Sequence, residues 1–238
     1  SSGTTLHHEN WHFVTTSKDT YLAQSHMCVK QAMIDSGDSR SKYKKTFMSC
    51  RDQIEVSEED DIKMMVVPSD GKRAMANIVD NFKKAISIDV AAHRFTHPEL
   101  VNAMIDASKE GKQTRFIADD DIYWTGVRKK KTGSNMYMEY VNTIKVVRAG
   151  VNTRYMETNQ NHRLLHHNKY VLFNYADGSG AVHAGAGNFT KAAFTKNMEN
   201  YYFITIAEVV DSFRKQYDYS FEKLATPYEK MPSEYVMP

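Results

Sequence analysis

The sequence predicts an α/β protein in which a mixed β-sheet is flanked by helices. Between residues 62 and 118, apolar strand-like runs alternate with segments of helical period, the pattern of parallel strands joined by helical crossovers. Beyond residue 168 that alternation gives way to two short strands across a tight turn, which reads as a hairpin. The chain has 238 residues, 41% hydrophobic and 25% charged, enough to bury a sizeable core as one large domain or two modest ones.

Taken in order, residues 10–16 (NWHFVTT) are aromatic and β-branched and read as a strand. Ser17 and Asp19 are candidate caps for a helix over 18–35, and Gly37 marks the break after it. A short helix over 41–51 leads into the acidic run 58–61, read as a solvated linker. Residues 62–67 are an apolar strand. Met75, Ile78, Val79 and Phe82 give 71–85 a helical period. A strand over 86–92 precedes a helix over 97–111, with Leu100, Met104, Ile105 and Ala107 on one face and Gly111 as its stop. A third strand, 114–118, leads to a basic loop at 128–131, a helix over 135–147 and a strand over 153–156. The hairpin pairs 169–174 with 181–185 across Ala176-Asp177-Gly178-Ser179. A strand over 201–206, a helix over 207–224 and an irregular tail from Pro227 complete the chain.

Composition removes several classes. With 11 Gly, 5 Pro and 2 Cys, the chain is no collagen and no disulfide scaffold, and it carries no run of about 18 apolar residues that would cross a membrane. A net charge of +2 neither declares nor excludes a nucleic-acid partner. Cys28 and Cys50 form no CxxC pair, so a thiolate metal site is not expected. They read as one disulfide or two buried thiols, with the thiols favoured. The start lacks Met and a basic leader segment and looks processed, so a secreted or periplasmic protein is expected.

The chemistry concentrates in three short segments: HNKYVLFN at 167–174, GAGNFT at 185–190, and Glu199-Asn200. On a strand, His167 and Lys169 point to the same face. Two cationic groups held together suit an anionic substrate. Asn188 follows two glycines that permit close backbone approach, and its amide can donate to a phosphate oxygen. A histidine supplies an atom that attacks or hands over a proton, and a carboxylate such as Glu199 can fix its tautomer.

These segments resemble the HKD motif of the phospholipase D superfamily, HxKxxxxD followed by GSxN. Residues 87–120, ahead of the motif, resemble that family's strand–helix–strand unit, and the likeness runs over about 62–224. The sequence departs from the pattern at Asn174, where the family has Asp, and at Gly185-Ala186, where it has Gly-Ser. The resemblance implies a phospholipase-D-like fold and a metal-free, cofactor-free two-step displacement at phosphorus. In it one histidine forms a phosphohistidine and another acts as general acid and base. Lys169 and Asn188 would hold the phosphoryl oxygens, with His93, Asn174 and Gly187 counted among the substrate-binding positions.

Family members bring two HKD motifs together, and this chain has one. Residues 9–15 (ENWHFVT) match 199–205 (ENYYFIT), as the end of a preceding lobe would. The chain is thus expected to hold one complete lobe, 58–238, preceded over 1–57 by the tail of a first lobe and connecting helices. The likeness then pairs Glu9 with His167, makes His167 the acid/base, and pairs Glu199 with the histidine of the absent motif. The expected partners are a phosphodiester, with a phospholipid headgroup ester ahead of DNA or RNA, and either a chain or segment carrying the first motif or a second copy of this one.

The remaining features have plainer readings. His162 and His166 are expected to be structural or solvated. His93 ends a predicted strand, where active sites of α/β proteins gather. Asp119-Asp120-Asp121 read as caps or ion-pair partners rather than metal ligands, and Arg128–Lys131 as a solvated loop that can attract a phosphate-rich partner.

Overall fold

The computed structural model describes residues 13–54, 60–128, 135–158 and 165–232. Eight strands form one mixed sheet: β1 (Ile62–Val67), β2 (Ser87–Ala92), β3 (Gln113–Asp119), β4 (Asn152–Met156), β5 (Lys169–Asn174), β6 (Gly180–Gly185), β7 (Glu199–Ile204) and β8 (Thr226–Pro227). Their spatial order is β1-β7-β6-β5-β2-β3-β4-β8. β2, β3 and β4 are parallel, whereas every other pairing is antiparallel. The helices are α1 (Tyr21–Ser36), α2 (Arg40–Arg51), α3 (Gly71–Lys84), α4 (Pro98–Lys109), α5 (Asp120–Arg128), α6 (Asn135–Arg148), α7 (Lys191–Thr195) and α8 (Ala207–Tyr219), the last running into a π-turn over Ser220–Leu224.

Alternation along the central strands sorts side chains to two cores. Val171 and Phe173 of β5, with Ile88 and Val90 of β2, join Met75, Ile78 and Phe82 of α3 and Leu100 and Met104 of α4 on one face. Tyr170 and Leu172 turn the other way, onto Val210, Phe213 and Tyr217 of α8 and Phe221 beyond it. Buried Asp89 faces this second core, where its carboxylate accepts from Arg115 at 2.6 and 2.8 Å under the ring of Tyr217. A third cluster packs α1 and α2 on Met64 and Val66 of β1.

Several expectations are corrected. Cys28 and Cys50 are joined as a disulfide tying α1 to α2, so the thiol reading is overturned. Their separation of 22 residues does not reveal that the α1–α2 hairpin brings them together. Thr20, not Ser17 or Asp19, caps α1, its hydroxyl accepting from the Ala23 amide at 3.3 Å. Of the strand expected over 10–16, residues 13–16 are described and are not strand, and the rest lie outside the described residues. β1 does not neighbour β2 but forms the far edge of the sheet, hydrogen-bonded to β7. α5 and α7, of 9 and 5 residues, are helices where the sequence pattern predicts no element, and β7 starts two residues earlier than expected, so Glu199 lies within it. The acidic run at 58–59, His162 and the basic stretch 129–131 lie outside the described residues.

Candidate active site

The pairing places one set of strand ends along one edge of the sheet. β2 ends at Ala92 opposite Lys169, the first residue of β5, and Tyr170 pairs Ala184 near the end of β6. β3 ends alongside β2 at Asp119, and β7 begins opposite the end of β1, with Val67 facing Glu199. The chain segments that leave or enter the sheet at this edge carry His93, Asp119, His167, Lys169 and Asn188.

His167 is in the approach to β5 rather than in the strand, so alternation is not what sets its direction. The approach is pinned on both sides. The His93 amide donates to the Asn168 carbonyl at 3.0 Å, and the His166 amide donates to Asp119 Oδ2 at 2.5 Å. The His167 ring meets that of His93 edge-on, centroids 5.2 Å apart at 61°. Lys169 is 6% exposed, and its ammonium donates to the His167 carbonyl at 2.5 Å. His166 is buried, its Nδ1 3.5 Å from the Asn168 amide nitrogen.

Asn188 reaches the same edge from β6. The Phe189 amide donates to Arg94 O, and Phe189 O accepts from the amides of Thr96 and His97. The Tyr201 hydroxyl donates to the Asn188 carbonyl at 3.0 Å. The two glycines answer to the protein's own packing. A Cβ on Gly187 would lie 2.2 Å from the Tyr201 hydroxyl, and one on Gly185 2.1 Å from the Asn200 carbonyl. Gly187 thus packs under Asn188, where the Tyr201 hydroxyl leaves no space for a Cβ. Among the described residues the buried Asn188 Oδ1 has no hydrogen-bond partner, and neither ring nitrogen of His93 has one.

Asn174 is not brought to His167, and Glu199, expected to pair with the histidine of the absent motif, is on another strand. Asn174 is at the opposite end of β5, five residue steps or about 17 Å from Lys169. There its amide donates to Ser87 Oγ at 2.9 Å and its oxygen accepts twice from Arg214. Those bonds tie the far end of β5 to β2 and α8. Glu199 lies on β7, separated from β5 by β6, and accepts from the Asn197 amide at 3.0 Å. Glu9 lies outside the described residues.

The acidic triplet supports this edge. Asp119 accepts from the Asp121 and His166 amides and the Thr158 hydroxyl. Asp120 accepts from Thr158 and the Trp124 indole. Arg94 clamps Asp121 at 2.6 and 2.5 Å and pairs with Glu139 at 3.1 Å. His93, Asp119 and Asp121 are close enough to share a metal ion, but the Arg94 guanidinium occupies both Asp121 oxygens, a poor fit for a cation. Burial and then the charges of Arg94, Lys169 and His167 push His93 down to about 2, so its ring is neutral. Burial and the Asp121 carboxylate push Asp119 up to about 8, against the amides that favour its charged form. Sequence reading missed Tyr201 and Arg94 as supports, since their contacts join residues 13 and 27 apart.

The sequence profile of a family described as cardiolipin synthase, PLD-like domain, matches residues 78–221. The chain belongs to the phospholipase-D-like family. Its structure is similar to Nuc, a phospholipase D family member from Salmonella typhimurium, with a TM-score of 0.54 at 22% identity over 70% of this chain and 97% of that one. NucT from Helicobacter pylori gives 0.53 at 15% identity over 70% and 98%. Phosphatidylserine synthase from Haemophilus influenzae Rd KW20 gives 0.56 at 11% identity over 87% of this chain and 54% of the synthase. At these identities the likeness is one of fold, and the chain spans about half of the synthase. No curated protein matches the sequence. The expected mixed sheet flanked by helices is the fold these proteins share with it.

Proposed function

We propose that this protein cleaves phosphodiesters at the sheet edge where His167, Lys169 and Asn188 meet, and that its substrate is a phospholipid headgroup ester. The observation that carries the reading is that one family-type motif puts His167 and Lys169, where the chain enters β5, and Asn188, just beyond the end of β6, at the same edge of the sheet. Lys169 supplies positive charge to the phosphoryl oxygens and Asn188 a neutral donor. His167 donates its proton to the leaving alkoxide as a second histidine nitrogen bonds to phosphorus. It then takes a proton from water or an alcohol, whose oxygen displaces that histidine from phosphorus and returns it unchanged. The second histidine comes from another HKD motif, on a preceding lobe or a second copy. The near-complete overlap with Nuc and NucT favours a second reading, a single-lobe protein working as a symmetric pair on DNA or RNA. The Cys28–Cys50 disulfide supports a secreted or periplasmic location.

Turnover of phosphatidylcholine vesicles and of a soluble nitrophenyl phosphodiester, by wild type and His167→Ala in excess EDTA, tests the reading. The expected result is turnover lowered by about 100-fold or more in His167→Ala. Undiminished turnover in that variant overturns it. Cleavage of DNA or RNA with inert vesicles moves the second reading to first.

A further inference from the structure

We propose that the α1–α2 hairpin, which covers the β1 edge of the sheet, is a docking surface for an anionic lipid bilayer that brings the protein to the membrane. Two independent observations converge on this hairpin. The first is apolar exposure. Met27 and Ile34, two turns apart on α1, are 63% and 64% exposed and point away from the face that carries Cys28 and Ala32 into the core. Isolated exposed apolar residues are ordinary, but two on one outward stripe, with Met33 at 53% beside them, form a patch.

The second observation is charge. α2 has no acidic residue, and Arg40, Lys42, Lys44 and Lys45 are exposed. Among the described residues these four make no ion pair, whereas Arg51 on the buried side is bound to Asp70. Lys30 of α1 adds to them on the exposed side. Across the hairpin, Asp35, Asp38 and Asp52 are the acids, so this small segment is cationic in a chain whose net charge is only +2. Apolar side chains flanked by lysines fit the interface of a bilayer carrying anionic headgroups. A purely phosphate-bearing polymer would use the lysines but not Met27 and Ile34.

Position favours the same occupant. Met33 of α1 and Met198 before β7, 42% exposed, line one cleft of about 200 Å³ together with Glu199. Glu199 opens β7 at the sheet edge where β5 begins, so an apolar lip runs from the hairpin toward the end of the sheet that holds His167 and Lys169. The disulfide clamps α1 to α2 and keeps the apolar stripe and the basic helix on one hairpin.

The inference deepens the phospholipid reading and rests on it for the source of the anion, but the two fail separately. The test uses the whole chain with its disulfide intact. It measures co-sedimentation with vesicles of phosphatidylcholine alone and of phosphatidylcholine mixed with phosphatidylglycerol. Binding is expected to the mixed vesicles, to weaken with salt, and to fall about 100-fold in Lys42→Glu/Lys44→Glu/Lys45→Glu. In a separate variant, Ile34→Trp, indole emission is expected to shift to the blue on the mixed vesicles, a readout that survives if the triple variant misfolds. Turnover of the soluble diester is expected to be unchanged in both. Equal partitioning of the triple variant or an unmoved indole emission overturns the proposal. So does binding of duplex DNA that the triple variant abolishes while Met27→Ser/Ile34→Ser leaves it intact. Absent turnover of every diester, with vesicle binding as expected, would instead sink the phosphodiesterase reading.

Discussion

One phenol hydroxyl holds the motif asparagine in place. Tyr201 is fully buried, stacked on Phe194 at 4.9 Å, and its hydroxyl supports the Asn188 carbonyl only because residue 187 has no Cβ. Tyr201→Phe leaves that carbonyl unpaired, at about 1–3 kcal/mol. The expected result is a modest fall in unfolding midpoint with a larger fall in kcat than rise in KM for the soluble diester. Gly187→Ala forces the ring aside and is expected to cost more in both. Unchanged kinetics in Tyr201→Phe would reduce Tyr201 to a packing residue. Two other buried side chains set a pH dependence. Burial pushes His183 down to about 3, and burial with nearby cations pushes His93 down to about 2. Both stay neutral in the folded chain while the unfolded chain binds protons near pH 6.5. The stability that these two rings contribute is therefore full above pH 6.5 and is lost as pH falls from 6.5 toward 3, at about 1.4 kcal/mol per pH unit for each ring. Denaturant unfolding of wild type and of His183→Asn across that window checks it, the variant being expected to lose about 1.4 kcal/mol per pH unit of that slope.

The α1–α2 hairpin shows what a disulfide contributes to an edge element. The hairpin covers β1, the outermost strand, by burying Tyr21, Leu22, Tyr43 and Phe47 against Met64 and Val66. Closing a 22-residue loop removes about 3 kcal/mol of unfolded-chain entropy. Cys28→Ser/Cys50→Ser is expected to lower unfolding free energy by about that much, read by urea titration with and without reductant, the variant being insensitive to reductant. Elements of this kind mark the boundary of what was legible. β2, α4, β3 and the β5–β6 hairpin announce themselves because each carries its own period or turn. The motif residues His167, Lys169 and Asn188 were legible because a short pattern holds all three. The bond between Cys28 and Cys50, the pairing of β1 with β7, and the hold of Asp119 on the His166 amide 47 residues on depend on tertiary approach. α7, at 5 residues, is too short for a period and exists because Thr190 caps it and Phe194 stacks on Tyr201. Asn174 was misplaced for the opposite reason: the motif names it, but strand length carries it away from the histidine.

At the scale of the molecule, mixed strand direction is what assembles the site. Because β5 runs against β2, the start of β5 meets the end of β2, and the turn after β6 folds over both. The edge so formed presents one motif histidine, His167, beside a neutral His93 that burial and then the surrounding cations keep unprotonated. Displacement at phosphorus through a phosphohistidine needs a nucleophile and a separate proton donor, on opposite sides of phosphorus. His93 is not placed to serve as the second: its ring packs edge-on against His167, with centroids 5.2 Å apart and no room for a phosphoryl group in line between them. The active species is therefore expected to hold a second motif histidine from another lobe or another copy. Native mass spectrometry of the fraction that turns over the soluble diester reads this directly. A mass near twice 27.3 kDa identifies a symmetric pair, and a larger single polypeptide or unlike partner identifies a two-lobed enzyme. In the symmetric case specific activity falls on dilution through the dissociation range, because separated chains each lose the second histidine. Full activity in a species of 27.3 kDa, constant on dilution, would mean that one lobe performs both proton transfer and attack, and the two-histidine reading would have to be abandoned.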